Sequence, residues 1–335
     1  MSKNRKKQTL ADAGEYAFIE SIRSMMPSDG GALIRSIGDD CLVTEIFKDG
    51  PALYTVDTFV DGVHFKDDFF SFGQIGGRCM AAAVSDIAAM GGVPVHSLVS
   101  LSMPRDMLLE DADALFRGLS NMAEKYHCPV AGGETTSTPG PLTISITVIG
   151  RGVSGVVITR SGARAGNGIY VTGSIGGAMA GLLAFEHGEE GYERLREKFV
   201  APEARVHLAQ KLAERYRITA MIDLSDGLAT DLANICRESG CGAEIHEALL
   251  PVTEDVRTIT AKHGIETTEF AITAGEDFEL LFTSGDTALD DSFKLMGVAV
   301  TRIGTITDQT QAIRLVRENG GVVELHATGY EHFRL

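Results

Sequence analysis

The chain has 335 residues, 44% of them hydrophobic, and carries a formal net charge of −16. This length and apolar content are ample for a core and fit two domains more naturally than one, while the acidic balance argues against nucleic acid, whose backbone requires a basic face. Its five cysteines form no CxxC pair, a pattern typical of reduced thiols in a cytoplasmic protein and not of a zinc site.

The first residues, MSKNRKKQTL, form a basic and polar segment. No apolar stretch follows them, so they do not have the pattern of a secretory signal. We predict a flexible tail over residues 1–13, with a phosphate-reaching arm as the alternative. The sequence contains no run of 18 apolar residues, which excludes an ordinary membrane-spanning helix.

Apolar periodicity predicts alternating helices and strands along the rest of the chain. In the first half, helices are predicted over residues 15–26, 74–90 and 108–126, and strands over residues 52–65, 96–103 and 141–150. In the second half, strands are predicted over residues 169–172 and 221–224, and helices over residues 188–202, 203–216 and 228–239.

The pattern changes near residues 150–165, where alternating strands give way to a glycine-rich unit. We therefore expect an N-terminal domain over residues 14–155 and a C-terminal domain over residues 156–335. Each domain is expected to hold a mixed sheet covered by helices, which is a two-domain α+β fold. The glycine-rich loop in GSIGGAMAGL has two interpretations, because glycines let backbone N–H groups approach an anion and equally let helices pack closely.

Acidic residues set in glycine- or serine-bearing turns recur over most of the chain. They occur in GDD (38–40), VDTFVDGVHF (56–65), SD (85–86), GGE (132–134), DLSDG (223–227) and GEDFELLF (275–282). One such turn would mean little, because Asp is a common turn and cap residue. Six of them, each beside an apolar run, indicate carboxylates gathered to hold Mg²⁺, which usually bridges substrate phosphates.

The sequence lacks two common nucleotide-binding motifs, which limits how it could bind phosphate groups. The sequence has neither the G-x-x-x-x-G-K-[ST] loop nor the VAIK and HRD motifs of protein kinases. A phosphoryl-transfer enzyme without these devices must neutralise phosphate charge mainly through metal ions.

Seven segments, in their order and approximate spacing, resemble the thiamine-monophosphate kinase family. They are GDDCLV, YTVDTFVDGVHF, AVSDIAAMGGVP, GGETTSTPGPLTISITVIG, TRSGARAGNGIYVTG, AMIDLSDGLATDL and GEDFELLF. The similarity runs from about residue 14 to the C-terminal GYEHF. It implies an aminoimidazole-ribonucleotide synthetase-like fold of two domains.

The resemblance also implies an activity and a set of site residues. The activity is ATP-dependent phosphorylation of thiamine monophosphate to thiamine diphosphate by direct transfer with several Mg²⁺ ions, in a homodimer that pairs its N-terminal sheets. By motif, the metal positions are Asp40, Thr55, Val56 (through its backbone), Asp57, Asp86, Glu134, Asp223 and Asp226. The nucleotide positions are Gly133, Arg160 and Ser225, and the thiamine phosphate positions are His64, Glu276 and Tyr330. No dedicated catalytic base is implied, because the acceptor is already a phosphate oxygen.

Several of these residues also have an ordinary structural interpretation. Ser225 and Asp226 could simply cap the helix that begins near residue 228, and His64 or Tyr330 alone would be structural. Asp39 is interpreted as a turn residue or as a partner of a metal ligand, and stays outside the proposed site. The chain departs from the family at Glu134, where the usual residue is Asp, and at Gly177 and Ala178, where Asp-Ser is common.

Two other functions stay open at this point. A different synthetase of the same superfamily would phosphorylate another acceptor; the selenium enzyme would show a reactive Cys or Sec near its N-terminus and the hydrogenase-maturation protein a C-terminal Cys, whereas the first cysteine here is Cys41 and the chain ends HFRL. A non-catalytic metal- or nucleotide-binding protein would tolerate the loss of several acidic ligands, whereas every metal position here keeps an oxygen donor.

Overall fold

The computed structural model describes residues 33–35, 39–47, 50–66, 68–153, 156–286 and 289–326. Six strands form the first sheet: β1 (Leu33–Arg35), β2 (Leu42–Phe47), β3 (Gly50–Val60), β4 (Val93–Pro104), β5 (Val130–Thr138) and β6 (Thr143–Arg151). Their order is β1-β2-β3-β6-β4-β5. The β4–β5 pair is parallel and the other pairs are antiparallel, so the sheet is mixed.

Among the described residues, helix α1 (Phe72–Ala89) covers one face of the first sheet, and helix α2 (Leu109–Lys125) packs against α1. Helix α1 begins with a capping box in which the Ser71 hydroxyl accepts from the Gln74 N–H while the Gln74 side chain accepts from the Ser71 N–H. Helix α2 lies very close to it, because a Cβ on Gly76 would come within 2.1 Å of the Leu115 carbonyl oxygen. Small residues thus allow α1 to be almost wholly buried.

Eight strands form the second sheet: β7 (Gly168–Thr172), β8 (Ile218–Asp223), β9 (Gly242–His246), β10 (Leu280–Ser284), β11 (Ser292–Leu295), β12 (Val298–Thr307), β13 (Ile313–Val316) and β14 (Val322–Leu325). Their order is β14-β13-β9-β12-β7-β10-β8, with β11 paired to β12. This sheet is also mixed, because β9 and β13 run parallel.

The second half carries six α-helices within the described residues: α3 (Gly177–Glu186), α4 (Glu193–Val200), α5 (Val206–Arg215), α6 (Leu228–Ser239), α7 (Glu254–Lys262) and α8 (Thr267–Thr273). Helix α1 contacts α5 and β8 in addition to its own sheet. The largest core cluster therefore continues from the first half into the second, where it includes Tyr170 and Phe282. Of the helices described, none has the length and apolar character of a membrane span.

The predicted α+β fold with a mixed sheet in each half is confirmed. Helix α6 has the predicted bounds, and α1, α2, α5 and most predicted strands agree within a few residues. Helix α4 begins only at Glu193, because residues 187–192 form a turn and a bend between α3 and α4. The predicted helix 15–26 and tail 1–13 lie outside the described residues, and the boundary near residue 155 stays a prediction.

One interpretation of the acidic segments was wrong. Glu134 was expected in a turn, but it lies in β5. Asp57 and Asp86 lie in β3 and α1, within the predicted strand 52–65 and helix 74–90, and not in turns. The polar run VAGGETTST pairs with β4 as an edge strand, and its residues are mostly exposed. A strand with little burial on either face lacks the apolar alternation by which strands are predicted.

Candidate functional site

Three carboxylates from separate elements meet between the two sheets. Asp40 lies just before β2, Asp86 lies in the last turn of α1, and Asp223 ends β8. One carboxylate oxygen of each lies within 4.8 Å of the others, and we call this group the acidic cluster. It forms because α1 packs on the first sheet and also contacts β8.

The electrostatics of the acidic cluster favour a bound cation. Burial, followed by repulsion from Asp57, Asp223 and Asp40, raises the pKa of Asp86 well above its usual value. Burial and Asp40 raise the pKa of Asp57 to about 6 and that of Asp223 to about 7. Ionising several carboxylates this close together costs free energy because their negative charges repel one another. A bound cation would offset this repulsion, and Mg²⁺ prefers oxygen ligands. The residues present therefore fit a hard divalent cation.

Two hydroxyl groups orient these carboxylates. Thr55 Oγ1 donates to Asp86 Oδ2, and Ser85 Oγ donates to Asp223 Oδ2 over 2.6 Å. Thr55 and Asp57 share the face of β3 that turns toward α1, since side chains two apart in a strand lie on one face. Val56 lies on the other face with 64% of its side chain exposed, so only its backbone remains a candidate ligand.

Arg160 reaches the acidic cluster from the second half. Its Nε and Nη2 donate to the two oxygens of Asp40 over 3.0 Å each, a bidentate pair. The Asp39 carboxylate accepts the backbone N–H of Arg160 over 2.6 Å, and Ser239 Oγ donates to its carbonyl oxygen over 3.1 Å. Asp39 thus holds the backbone of Arg160, while Asp40 holds its guanidinium group.

The turn after β8 brings Ser225 and Asp226 beside the acidic cluster. The first turn of α6 is not capped in the way the sequence suggested. The backbone N–H groups of Asp226 and Gly227 donate to Asp231 Oδ2 over 3.2 and 3.1 Å. Asp231 is buried, and burial with Asp226 raises its pKa well above the usual value.

A cavity of about 980 Å³ opens beside these residues. Four carboxylate side chains line it, those of Asp57, Asp86, Asp223 and Asp226. Aromatic rings line it as well, among them those of Phe65, Phe69, Phe70, Phe199, Phe270 and Phe278. A flat organic group and a metal-bound phosphate can therefore share one cavity.

His64 and Glu276 both line this cavity, as predicted for an acceptor site. His64 Nδ1 accepts the N–H of Val60 over 3.0 Å, so a neutral His64 carries its proton on Nε2. Glu276 adopts a left-handed backbone conformation with φ of 65°. Its backbone N–H donates to the Ser225 carbonyl oxygen over 2.9 Å, which ties the two loops together.

Two predicted residues, Gly133 and Glu134, do not join the acidic cluster of their own chain. Asp57, Ile146, Val99 and Gly133 are in register across the sheet, so Glu134 belongs to the neighbouring row and the opposite face. Three strand spacings of ~4.8 Å also separate β5 from β3. Gly133 itself packs on β4, since a Cβ there would lie 1.8 Å from the Val99 carbonyl oxygen. Tyr330 lies outside the described residues.

The glycine-rich loop before α3 is explained by packing and internal capping. The Asp277 carboxylate accepts the N–H groups of Gly176 and Ala178 over 2.5 and 3.0 Å. A Cβ on Gly181 would lie 2.1 Å from the Leu195 carbonyl oxygen, so α4 requires a glycine there. The interpretation as close packing is therefore the one that the structure supports.

Sequence reasoning missed Ser85, Asp231, Asp277 and Arg78. Ser85 precedes Asp86, and Asp231 lies in the first turn of α6, where an acidic residue favours the helix dipole. Those signals were available in the sequence. Arg78 pairs with Glu276 across 198 residues of chain, and no local pattern indicates such a contact.

Comparisons with known proteins agree with this geometry. The AIR synthase related protein family matches through its N-terminal domain over residues 38–152 and its C-terminal domain over residues 164–316. A thiamine-monophosphate kinase of Rhodopirellula baltica is 36% identical over 82% of this chain and 84% of its own. That of Bacillus subtilis is 33% identical over 89% and 93%.

A solved structure described as AaThiL complexed with AMPPCP and TMP superposes with a TM-score of 0.85, at 27% identity, over 98% of this chain and 100% of that chain. The family matches and the identities above 30% over most of both sequences lead to one assignment. The chain belongs to the thiamine-monophosphate kinase family, within the AIR synthase related proteins.

Proposed function

We propose that this protein transfers the γ-phosphoryl group of ATP directly to thiamine monophosphate, giving thiamine diphosphate and ADP. The observation that carries the proposal is that two members of the acidic cluster, Asp86 and Asp223, line the same cavity as Glu276 and several aromatic rings. The relatives named thiamine-monophosphate kinase and the similar structure with AMPPCP and TMP support the same two substrates.

The residues that would hold Mg²⁺ are those that gather around the acidic cluster. They are Asp40, Asp57, Asp86, Asp223 and Asp226, with the Thr55 hydroxyl and the Val56 carbonyl group as further oxygen donors. Mg²⁺ bound there neutralises phosphate charge and aligns donor and acceptor. The fold holds these carboxylates close together, where they repel one another, and a bound cation would relieve this repulsion.

The nucleotide end of the site is proposed around Arg160 and Ser225. The guanidinium of Arg160 already forms a bidentate pair with Asp40. The same planar fork fits two phosphate oxygens, so an ATP phosphate competes with Asp40 for it when cations occupy the carboxylate. Transfer needs no general base, because the accepting phosphate oxygen is ionised at neutral pH.

We place the thiamine group beside the aromatic residues that line the cavity. Phe70 and Phe278 offer apolar surface for the rings of the acceptor. Glu276 supplies a negative charge opposite the cationic thiazolium or the aminopyrimidine, and His64 can donate from Nε2 to the phosphate. Tyr330 is proposed to stack on the thiamine from the C-terminal segment.

A homodimer through the first sheet completes the proposal. The face of this sheet away from α1 is the open face, and it includes Val56, Thr58 and Leu98. Val56 and Leu98 are exposed to 64% and 42%, which suits burial against a second copy. Gly133 and Glu134 lie on β5 at the edge of this sheet, so we propose that they act at the site of the partner subunit.

We also place the protein in the cytoplasm. All five cysteines are free and buried, as expected for a reducing compartment.

An ADP-release assay with purified protein tests the function. We expect turnover with thiamine monophosphate, none with thiamine or aminoimidazole ribonucleotide precursors, and loss of turnover with excess EDTA. Mass spectrometry should identify thiamine diphosphate as the product. Equal ADP release with an aminoimidazole precursor would favour another synthetase of the superfamily, and ATP binding without any turnover would favour a non-catalytic protein.

A further inference from the structure

Arg78 is a buried cation that the proposed reaction does not yet use. It lies on α1 and is 4% exposed. Its guanidinium carbon is 5.6 Å from the centroid of the Phe70 ring and 4.8 Å from that of Phe199. Two aromatic rings that also line the cavity therefore hold the guanidinium group in place.

The same guanidinium joins two segments of the second half. Nη1 donates to the carbonyl oxygen of Phe199 near the end of α4, and Nη2 lies 2.5 Å from Glu276 Oε1. A planar guanidinium can satisfy both acceptors at once, because its donors have a fixed geometry. An ammonium group on a flexible stem lacks that geometry.

Glu276 needs such a partner because its backbone is strained. A left-handed φ of 65° is unfavourable for a residue with a Cβ, and it persists where surrounding contacts hold it. The backbone N–H of Glu276 is held by Ser225 and its side chain by Arg78. The Glu276 side chain keeps 31% of its surface exposed and lines the cavity.

We propose that Arg78 is a positioning residue that fixes the Glu276 carboxylate toward the cavity and thereby sets the affinity for the cationic acceptor. Arg78 engages Oε1 of Glu276, a residue that lines the cavity. This inference rests on the proposed function, in which Glu276 binds thiamine monophosphate. It adds a link between α1 and the acceptor pocket that involves no contact between Arg78 and the substrate.

A double-mutant cycle on Arg78 and Glu276 tests the inference. Arg78→Met and Glu276→Gln should each raise the KM for thiamine monophosphate by about tenfold, with the KM for ATP and kcat changed less than about twofold. In the Glu276→Gln background, Arg78→Met should add less than about twofold. If Arg78→Met raises this KM equally in both backgrounds, or in neither, the positioning role is wrong.

Arg196→Met is the matched control. Arg196 also stacks on an aromatic ring, 4.9 Å from Phe185, and donates to two backbone carbonyl groups at 3.0 and 2.7 Å, but among the described residues Glu276 pairs with Arg78 and not with Arg196. Its loss should lower the melting temperature without changing the KM for thiamine monophosphate. An equal rise in KM for Arg196→Met would show that loss of packing explains the effect and would overturn the inference.

Arg78→Lys keeps the test decisive if Arg78→Met does not fold. A lysine can reach either Glu276 or the Phe199 carbonyl group but not both with fixed geometry, so its KM should lie between wild type and Glu276→Gln. A folded Arg78→Lys protein with wild-type KM would overturn the inference. Absence of thiamine monophosphate turnover in the wild-type protein would instead overturn the proposed function, and this inference with it.

Discussion

Ser85 on α1 donates a 2.6 Å hydrogen bond to Asp223 at the end of β8, and both side chains are buried. The bond joins the N-terminal half to the C-terminal half at the acidic cluster. Ser85 opposes the rise in the pKa of Asp223 that burial and Asp40 produce. One hydroxyl group thus helps both to align the two halves and to keep Asp223 available as a ligand.

Replacing Ser85 by Ala should raise the Mg²⁺ requirement. The Asp223 carboxylate loses its donor, protonates more readily and becomes a weaker ligand, at a cost of about 1.5–3 kcal/mol in stability. We expect half-maximal ADP release to need severalfold more free Mg²⁺. Ser97→Ala is the matched control, since Ser97 is equally buried and donates to the Cys128 carbonyl oxygen at 3.5 Å, with no carboxylate as acceptor. An unchanged Mg²⁺ titration in Ser85→Ala would contradict the prediction.

Replacing Asp86 by Asn should separate activity from stability. Loss of a central carboxylate should lower the rate by a factor of hundreds, or roughly 3 to 4 kcal/mol. The metal-free protein should melt at a higher temperature, because repulsion with Asp57 and Asp223 disappears. Thermal unfolding in EDTA and steady-state kinetics measure the two effects. Near-normal activity at saturating Mg²⁺ would remove Asp86 from the site.

The stability of the metal-free protein should fall as pH rises. Asp57 and Asp223 have an ordinary pKa of 3.8, raised to about 6 and about 7 by burial and neighbouring carboxylates. A folded protein that binds these protons more tightly than the unfolded chain loses stability from about pH 4 to pH 7. Melting curves in EDTA should show this decline, and excess Mg²⁺ should flatten it. Parallel curves with and without Mg²⁺ would argue against a shared metal site.

Glu134 should act in the partner's site if the dimer forms through the open face. Glu134→Asp should raise the Mg²⁺ requirement and Glu134→Ala should nearly abolish activity. Refolding Glu134→Ala together with Asp86→Asn should restore activity to roughly a quarter of wild type, since half of the dimers then carry one intact site of two. Each variant refolded alone is the control. No recovery in the mixture, with dimers confirmed by light scattering, would place Glu134 in the site of its own chain or outside any site.

Arg160 should govern ATP affinity more than acceptor affinity. Arg160→Lys keeps the charge but loses the bidentate fork seen on Asp40. We expect the KM for ATP to rise by about tenfold and that for thiamine monophosphate to change little. Kinetics with each substrate varied in turn distinguish the two, and an effect confined to thiamine monophosphate would contradict the assignment.

Apolar periodicity predicted those helices and strands in which side chains on one face are consistently buried. Helix α6 was predicted to the residue because its apolar face is regular and Gly240 ends it in a left-handed conformation. Strand β5 was missed because it lies at a sheet edge with both faces largely exposed. Strands β1, β2, β9 and β11 to β14 and helices α7 and α8 were not predicted either.

For the site, the motifs predicted a set of carboxylate ligands, and the structure brings three of them, Asp40, Asp86 and Asp223, close together. The residues that contact the site side chains could not be predicted, because these contacts depend on how α1 packs between the sheets. Arg78 illustrates this limit, since its two acceptors come from residues 199 and 276. Glu134 illustrates another, since its face of the sheet follows from cross-strand register and not from its motif.

The capping of α3 by Asp277 has a physiological consequence. The backbone N–H groups of Gly176 and Ala178 already donate hydrogen bonds to the Asp277 carboxylate. They are therefore not available to bind a phosphate, as the N–H groups at a helix start do in many nucleotide-binding loops. At the proposed site, nucleotide binding would then rest on the cations and on Arg160. A fall in free Mg²⁺ would weaken ATP binding and slow the proposed reaction together, so the proposed activity would respond to the ionic state of the cell as well as to its substrates.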